Sequence, residues 1–142
     1  MATATKHNDF TQSLMDDFRA HGGHVTSGPF LGRDLLLLTT KGARSGELRT
    51  TPVVYTRDGD NYVIVASKGG ADTHPAWYRN LVANPRATIE VEDEVIPVLV
   101  TQAHGAERRR LYDAHAEINP GFRDYEKRTN REIPVFVLER AA

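Results

Sequence analysis

The sequence predicts an α+β protein built around a mostly antiparallel β-barrel, with about six strands and three or four helices. Strand-like runs come mainly as hairpins, as in the two runs that flank the turn Asp58-Gly59-Asp60-Asn61. Strands and helices do not alternate regularly, as a doubly wound parallel sheet would require. A chain of 142 residues is the size of one domain. We divide it into an N-terminal tail and amphipathic helix, residues 1–21, and a barrel domain, residues 22–142.

The first helix is predicted from Phe10 to His21, because Phe10, Leu14 and Phe18 recur at four-residue spacing and Gly22-Gly23 ends the pattern. We expect residues 1–8 to form a mobile tail. The simplest interpretation of the helix is a cover over the core. A lid over a substrate pocket and a membrane-surface helix are the alternatives.

The other elements follow from apolar runs bounded by turn residues. Two prolines carry a structural expectation: Pro52 interrupts the second strand, and Pro97 places the fifth strand at a sheet edge or a bulge. The predicted strands are Leu35–Thr40, Arg49–Arg57, Tyr62–Ser67, Arg86–Val91, Val95–Thr101 and Ile133–Glu139. The remaining helices are Pro75–Ala83 and Ala106–Ile118, and Phe122–Arg128 is a short helix or a turn.

Composition limits the classes of function. The net charge is −1, so no bulk attraction to nucleic acid is expected. The chain has no cysteine, which removes disulfides and thiolate chemistry and fits a cytoplasmic protein. None of the six histidines belongs to a recognised ligand pair, and no metal site is predicted. The apolar runs are too short to span a bilayer; stable insertion is not expected, peripheral membrane association stays open, and the oligomeric state is unknown.

A cationic loop between two apolar runs is the first candidate site. It extends from Lys41 to Pro52 and contains Arg44, Ser45 and Arg49 together with two glycines. Glycines let backbone N–H groups approach a ligand, hydroxyls donate hydrogen bonds, and cations supply charge, so such a loop can hold a phosphate or a carboxylate. A solvated hairpin loop with scattered charge is the alternative.

A second loop, Ser67-Lys68-Gly69-Gly70, follows the third predicted strand and precedes a helix whose free N–H groups would also favour an anion. Considered alone, this loop is equally well explained as a glycine turn between a strand and a helix. We expect the barrel to bring both strand ends to one cleft. Neither the Walker A pattern nor G-x-G-x-x-G occurs. Trp77 and Tyr125 are each either packing residues or an aromatic wall beside a flat ligand.

Several linked motifs then resemble the deazaflavin (F420)-dependent nitroreductase and quinone reductase family. They cover roughly Gly22 to the end of the chain. The matching segments are Leu37–Thr40, Gly42–Gly46, Arg49–Pro52, Val65–Ala71, His74–Leu81, Ala83–Pro85, Tyr125 and Ile133-Pro134.

The resemblance implies a split β-barrel like that of FMN-binding proteins, which binds coenzyme F420 and transfers a hydride from its reduced form to an electron-poor acceptor: a quinone, an activated enone or a nitro compound. Tyr125 is implied on the acceptor side as the catalytic residue, whereas Asn119 and Phe122 stand where some relatives have tyrosine. The implied coenzyme-binding residues are Lys41, Arg44, Ser45, Arg49, Pro52, Tyr55, Ala66, Ser67, Lys68, Gly69, Gly70, Trp77 and Asn80.

Two other functions stay open from the sequence. One is an FMN-dependent reductase on the same barrel. The other is a non-catalytic carrier or sensor of the deazaflavin, or a simple anion-binding module.

Overall fold

In a computed structural model that describes residues 9–141, six antiparallel strands form a closed barrel in the order β1-β2-β3-β6-β5-β4. Four α-helices and one short 3-10 turn at Lys68–Gly70 complete this part of the chain. The α+β barrel prediction is therefore confirmed. The elements are α1 Asp9–Ala20, β1 Leu35–Lys41, β2 Leu48–Asp58, β3 Asn61–Val65, α2 Ala76–Ala83, β4 Arg86–Val91, β5 Glu94–Ala103, α3 Gly105–Ile118, α4 Gly121–Arg128 and β6 Val135–Arg140. The predicted tail at residues 1–8 lies outside the described residues.

The leucine run Leu35–Leu38 is buried on both faces of its strand. Leu36 and Leu38 face the barrel interior, and Leu35 and Leu37 pack under α1. Successive side chains of a strand point to opposite faces, so a strand covered on both sides has no polar alternation.

Helix α1 covers the outside of the barrel, as predicted, but with a shifted apolar stripe. Leu14, Met15 and Phe18 are buried, whereas Phe10 is 53% exposed. Its outer face is joined to the barrel by a bidentate ion pair between Arg19 and Glu90, with N–O distances of 3.0 and 2.9 Å.

The two expectations based on proline were wrong. Strand β2 runs without a break through Pro52, which lies opposite Leu37 of β1. Strand β5 has a neighbour on each side and no bulge, and Pro97 lies opposite Thr88 of β4. On the other side, the ladder with β6 ends at Val98, and the Pro97 carbonyl still accepts a hydrogen bond from the Ala141 N–H at 2.9 Å. Pro97 therefore lies at the end of this ladder, where a missing N–H interrupts no interior pairing.

Helices α3 and α4 cover the opposite outer face, over Val63, Val65 and Val135. His115 of α3 is fully buried, as predicted for a core residue, and its Nδ1 lies 2.9 Å from the Thr56 hydroxyl. Its Nε2 has no hydrogen-bond partner among residues 9–141. Burial lowers the pKa of His115 to about 4, so the ring is neutral at pH 7.

Helix α2 packs into the interior cluster through Trp77 and Leu81, with the Trp77 ring edge-on to Phe136 at 6.0 Å between ring centroids. This packing fixes the N-terminus of α2 beside the end of β1. Within residues 9–141, no helix combines the length and apolarity needed to cross a bilayer.

Candidate functional site

Two neighbouring cavities lie where the two predicted loops meet α2. The first has a volume of about 670 Å³ and the second about 430 Å³. Lys68, Pro75 and Trp77 line both cavities. They therefore form one continuous cleft of a size typical of cofactor and substrate sites.

The first cavity is strongly cationic. Arg44, Arg49, Lys68 and Arg79 line it, and its described lining contains no Asp or Glu. Arg44, Arg49 and Arg79 form no ion pair with any residue in the described part of the chain. Their charge is thus left for a ligand. The hydroxyls of Ser45, Thr50, Thr51 and Thr73 add donors to the same walls.

The loop between β1 and β2 is closed on itself by backbone hydrogen bonds. The N–H of Gly42 donates to the Glu47 carbonyl at 2.7 Å, and that of Gly46 donates to the Gly42 carbonyl at 3.0 Å. A Cβ at Gly42 would lie 2.5 Å from the Ser45 hydroxyl, so a larger residue there would displace that side chain. The closed loop holds Arg44 and Ser45 at the mouth of the first cavity.

Asn80 ties this loop to helix α2. Its Oδ1 accepts a hydrogen bond from the N–H of Ala43 at 2.9 Å, and its Nδ2 donates to the Thr40 hydroxyl at 3.0 Å. Asn80 and Thr40 are both buried. The amide therefore uses an acceptor and a donor to fix three elements relative to each other.

The Ser67–Gly70 loop has an unusual backbone. Lys68, Gly69 and Gly70 are consecutive residues with positive φ, at 48°, 66° and 83°. For lysine this left-handed conformation is strained, so the surrounding structure must enforce it. A Cβ at Gly70 would lie 3.0 Å from the Tyr125 backbone, which makes glycine necessary where α4 crosses the loop.

Arg131, just before β6, helps to hold the backbone of this loop in place. Its Nε donates to the Ala71 carbonyl at 2.8 Å, and its Nη2 donates to the carbonyls of Ser67 at 2.8 Å and Ala66 at 3.2 Å. Its Nη1 lies 3.0 Å from Nδ1 of His74.

His74 lines the first cavity and stacks on Tyr78 with 4.1 Å between ring centroids. Its pKa is lowered, first by burial and then by the nearby cations Arg131 and Arg79. The imidazole is therefore neutral at pH 7 and competes little with Lys68 or the arginines for an anion.

Helix α2 begins at Ala76 behind Pro75, and the lining of the first cavity includes the turn His74–Trp77. The first N–H groups of a helix have no partner within it and carry partial positive charge. The start of α2 thus adds partial positive charge to this wall.

The second cavity is mainly apolar. Aromatic and aliphatic side chains line most of it, and Arg33 and Tyr125 bring polar groups. Arg33 donates to Oδ1 of the buried Asn119 at 3.4 Å. The Tyr125 ring packs edge-on against Phe122, with 5.0 Å between centroids. Within the described chain the Tyr125 hydroxyl has no protein partner, so it is available to a ligand. The apolar lining is Pro29, Phe30, Pro52, Val53, Val54, Val65, Pro75, Trp77 and Phe122.

Most of the residues predicted for the site line this cleft. Lys68 and Trp77 line both cavities; Arg44, Ser45, Arg49 and Asn80 line the first, and Pro52, Ser67, Gly69 and Tyr125 line the second.

Four predicted residues line neither cavity: Lys41, Tyr55, Ala66 and Gly70. Lys41 is exposed at the end of β1, and the Tyr55 ring packs edge-on against Tyr62 at 5.5 Å between centroids. Ala66 and Gly70 are buried, so they contribute through the backbone of the second loop. The ligand-binding roles of all the predicted site residues stay predictions.

Sequence reasoning missed several residues of the cleft. Thr50 and Thr51 directly follow Arg49, and Arg79 lies two residues after Trp77, so proximity to predicted residues was the available signal. Arg33 and Arg131 had no such signal, since they reach the site from distant segments. The other missed residues are Pro29, Phe30, Gly42, Ala43, Val53, Val54, Val65, Thr73, His74, Pro75, Ala76 and Phe122.

The sequence and the fold both match characterised protein groups. The family model described as F420H(2)-dependent quinone reductase matches residues 12–140. An F420H(2)-dependent quinone reductase of Mycobacterium tuberculosis strain H37Rv is 45% identical over 108 residues, which cover 74% of this chain and 72% of the relative. A solved F420-H2 dependent reductase is 38% identical, covers 75% of this chain and 95% of its own, and superposes with a TM-score of 0.70. A structure described as a domain-swapped dimer is 34% identical, covers 90% and 93%, and has a TM-score of 0.71.

Proposed function

Because the chain belongs to the F420H(2)-dependent quinone reductase family, we propose that it binds reduced coenzyme F420 in this cleft and transfers its hydride to a quinone. One observation carries the assignment of the cleft. A cavity with four cations and no lining carboxylate adjoins an apolar cavity, and Lys68 and Trp77 belong to both. This suits a ligand with an anionic end and a flat apolar end.

The first cavity fits the anionic end of the coenzyme. A phosphate followed by an acidic tail needs several separate donors, and Arg44, Arg49, Lys68 and Arg79 provide them around one space. Charge-assisted hydrogen bonds from such groups are stronger than neutral ones. FMN ends at its phosphate and would use fewer of these cations. The relatives are named for F420H2 and give no support to the FMN alternative.

The second cavity fits the deazaflavin ring and the acceptor. Pro52 and Trp77 offer apolar faces, while the backbone around Ser67 lies at the border between the two cavities. When bound, the reduced coenzyme supplies a hydride equivalent, and the apolar walls exclude water from the reacting atoms. No covalent nucleophile or metal is required of the protein.

Among the polar residues that line the second cavity, we assign Tyr125 and Arg33 to the acceptor. Hydride addition to a quinone leaves negative charge on an oxygen, which must be stabilised and then protonated. A hydroxyl and a guanidinium are suitable donors for a developing oxyanion. We assign Tyr125 the catalytic role of donating a hydrogen bond to that oxygen. Arg33, held by Asn119, adds positive charge on the same cavity.

The acceptor range is also part of the proposal. A planar quinone fits an aromatic-lined cavity, and a nitro compound or an activated enone presents the same pattern of a flat π-system with a terminal oxygen. We place the reaction in the cytoplasm, with peripheral contact to membranes if the quinone is lipid-soluble.

The test uses purified protein, reduced F420 and a set of acceptors that includes menadione, a nitroarene and an activated enone. Reappearance of the visible absorbance of oxidised F420 reports turnover. The proposal expects protein-dependent oxidation with menadione. Tight F420 binding without turnover on any acceptor would instead support the carrier or sensor alternative.

A further inference from the structure

We propose that Arg131 is a positioning residue of the coenzyme site, which holds the strained Ser67–Ala71 loop in its binding conformation and fixes the tautomer of His74. The inference rests on the proposed function for the ligand that the loop receives. Its structural part, the control of loop and imidazole, stands on the geometry of the protein alone.

The N–H groups of Arg131 reach several parts of the site at once. A guanidinium carries five N–H donors in a planar fork and no acceptor. Arg131 directs them to the carbonyls of Ala66, Ser67 and Ala71 and to the His74 ring. A single side chain thus spans both ends of the loop that contains Lys68. It contacts neither ligand cavity itself.

The loop needs such a restraint. Its three central residues have positive φ, and Lys68 among them pays a conformational penalty. A second arginine also donates to a carbonyl of this loop, but its hydrogen bond is longer: Arg128 donates to the Gly69 carbonyl at 3.4 Å. Without Arg131, the loop carbonyls of Ser67 and Ala71 and the preceding carbonyl of Ala66 would lose a charged donor, and the relaxed loop would carry Lys68 away from the border of the two cavities.

The contact with His74 has a defined chemical consequence. Because a guanidinium only donates, Nδ1 of His74 must be the accepting, unprotonated nitrogen, and the proton of the neutral ring is on Nε2. Arg131 therefore couples the Ser67–Ala71 loop to the residue that precedes Pro75 and the start of α2. One side chain thus contacts two of the segments that line the first cavity.

The effect on binding follows from the population of the competent loop. If the loop adopts its binding conformation in only about one molecule in ten, the apparent Kd rises about 10-fold. At saturation the coenzyme itself restores the loop, so kcat changes little. A positioning role thus predicts a raised KM for the coenzyme with a nearly unchanged kcat.

The experiment compares Arg131→Met and Arg131→Lys with wild type, and uses Arg86→Met as a matched control. Arg86 is exposed on β4 and lines neither cavity. We expect Arg131→Met to raise the Kd and KM for F420 at least about 10-fold, with kcat within about threefold. A lysine cannot reproduce the planar fork, so Arg131→Lys should restore only part of the affinity. Arg86→Met should bind like wild type.

Two readouts do not depend on the coenzyme. Hydrogen exchange in the free protein should accelerate at amides of Ser67–Ala71 in both Arg131 variants. The ¹⁵N shift of His74 Nδ1 should indicate an unprotonated, hydrogen-bonded nitrogen in wild type and lose that hydrogen bond in Arg131→Met. If Arg131→Met does not fold, the same binding, exchange and ¹⁵N measurements are made on Arg131→Lys.

Failure of this inference is distinct from failure of the proposed function. Wild type that does not bind F420 would reject the proposed function, while exchange and ¹⁵N data would still test Arg131. A folded Arg131 variant that binds F420 within about twofold of wild type, or whose loop amides exchange at the wild-type rate, would reject the positioning role.

Discussion

Replacing either Arg49 or Lys68 with alanine should weaken coenzyme binding and leave catalysis at saturation nearly intact. Both cations line the first cavity, where no lining residue carries negative charge. A hydrogen bond to a charged group contributes about 1.5–3 kcal/mol, so its loss corresponds to roughly a 10- to 150-fold rise in Kd. Both side chains are exposed, so solvent screening favours the lower end of that range.

The kinetic signature distinguishes binding from chemistry. These cations would hold the anionic end of the coenzyme, which stays the same in the ground state and the transition state. Loss of such uniform binding raises KM and leaves kcat unchanged. Fluorescence titration with F420 and steady-state oxidation of reduced F420 by menadione measure the two quantities. The affinity should also fall as salt concentration rises, since part of the attraction is screened.

Strand β2 offers a matched control in Arg57. Arg57 and Arg49 are both exposed and lie on the same face of β2, roughly 26 Å apart along an extended strand. Arg57 stacks over Tyr62 and donates to the Asp60 carbonyl, away from both cavities. Arg57→Ala should bind F420 as wild type does. If Arg49→Ala and Lys68→Ala also bind within about twofold of wild type, the cationic cavity does not hold the coenzyme.

The remaining predictions concern the second cavity and the framework behind the site. Tyr125→Phe should lower kcat/KM for the acceptor more than it weakens F420 binding; wild-type kcat/KM on every acceptor would make Tyr125 a packing residue only. Arg33→Gln should lower kcat/KM for a sulfonated naphthoquinone about 10-fold, with a smaller effect on neutral menadione; equal losses would argue against charge recognition. Asn80→Ala should lower the free energy of unfolding in urea by about 2 kcal/mol, since it removes two hydrogen bonds; an unchanged urea midpoint would contradict this. His115 has a folded pKa of about 4, below its unfolded value, so the free energy of unfolding should fall by about 2 kcal/mol as pH decreases from 7 to 4.5. A His115→Leu variant should not show this part of the pH dependence.

The fold was predictable because local patterns in this chain agree with the global structure. Hairpin turns, short apolar runs and breaker residues placed every strand to within a few residues. The two predictions based on proline were wrong because the effect of a proline on a strand depends on the neighbouring strand. Pro97 needs no bulge because it lies at the end of the ladder with β6, and neither the register nor the strand end is visible in the local sequence.

The helical stripes show a similar limit. Phe10 and Ile118 fit an apolar periodicity, yet both are largely exposed, at 53% and 66%. Each lies near a helix end, beyond the surface that the helix covers. Periodicity identifies a helix and its inner face, but the extent of contact depends on what the helix packs against.

The cleft could be located from the sequence where its residues cluster along the chain. The loops with Arg44 and Lys68 were identified from glycine and charge, and the structure brings them to one cleft. Arg131 acts across 60 to 65 residues on carbonyl groups, which every residue has, so no residue pattern could reveal its partners. Arg33 likewise becomes significant only when the fold places it beside Tyr125 on one cavity.

The most direct test of the central claim is a side-by-side fluorescence titration of the purified protein with F420 and with FMN. Four cations are assigned to the phosphate and the acidic tail of F420, and FMN has the phosphate but not the tail. We therefore predict at least about 10-fold tighter binding of F420, equivalent to one missing charge-assisted contact for FMN. Equal or tighter binding of FMN would contradict the assignment of this cleft to a deazaflavin coenzyme.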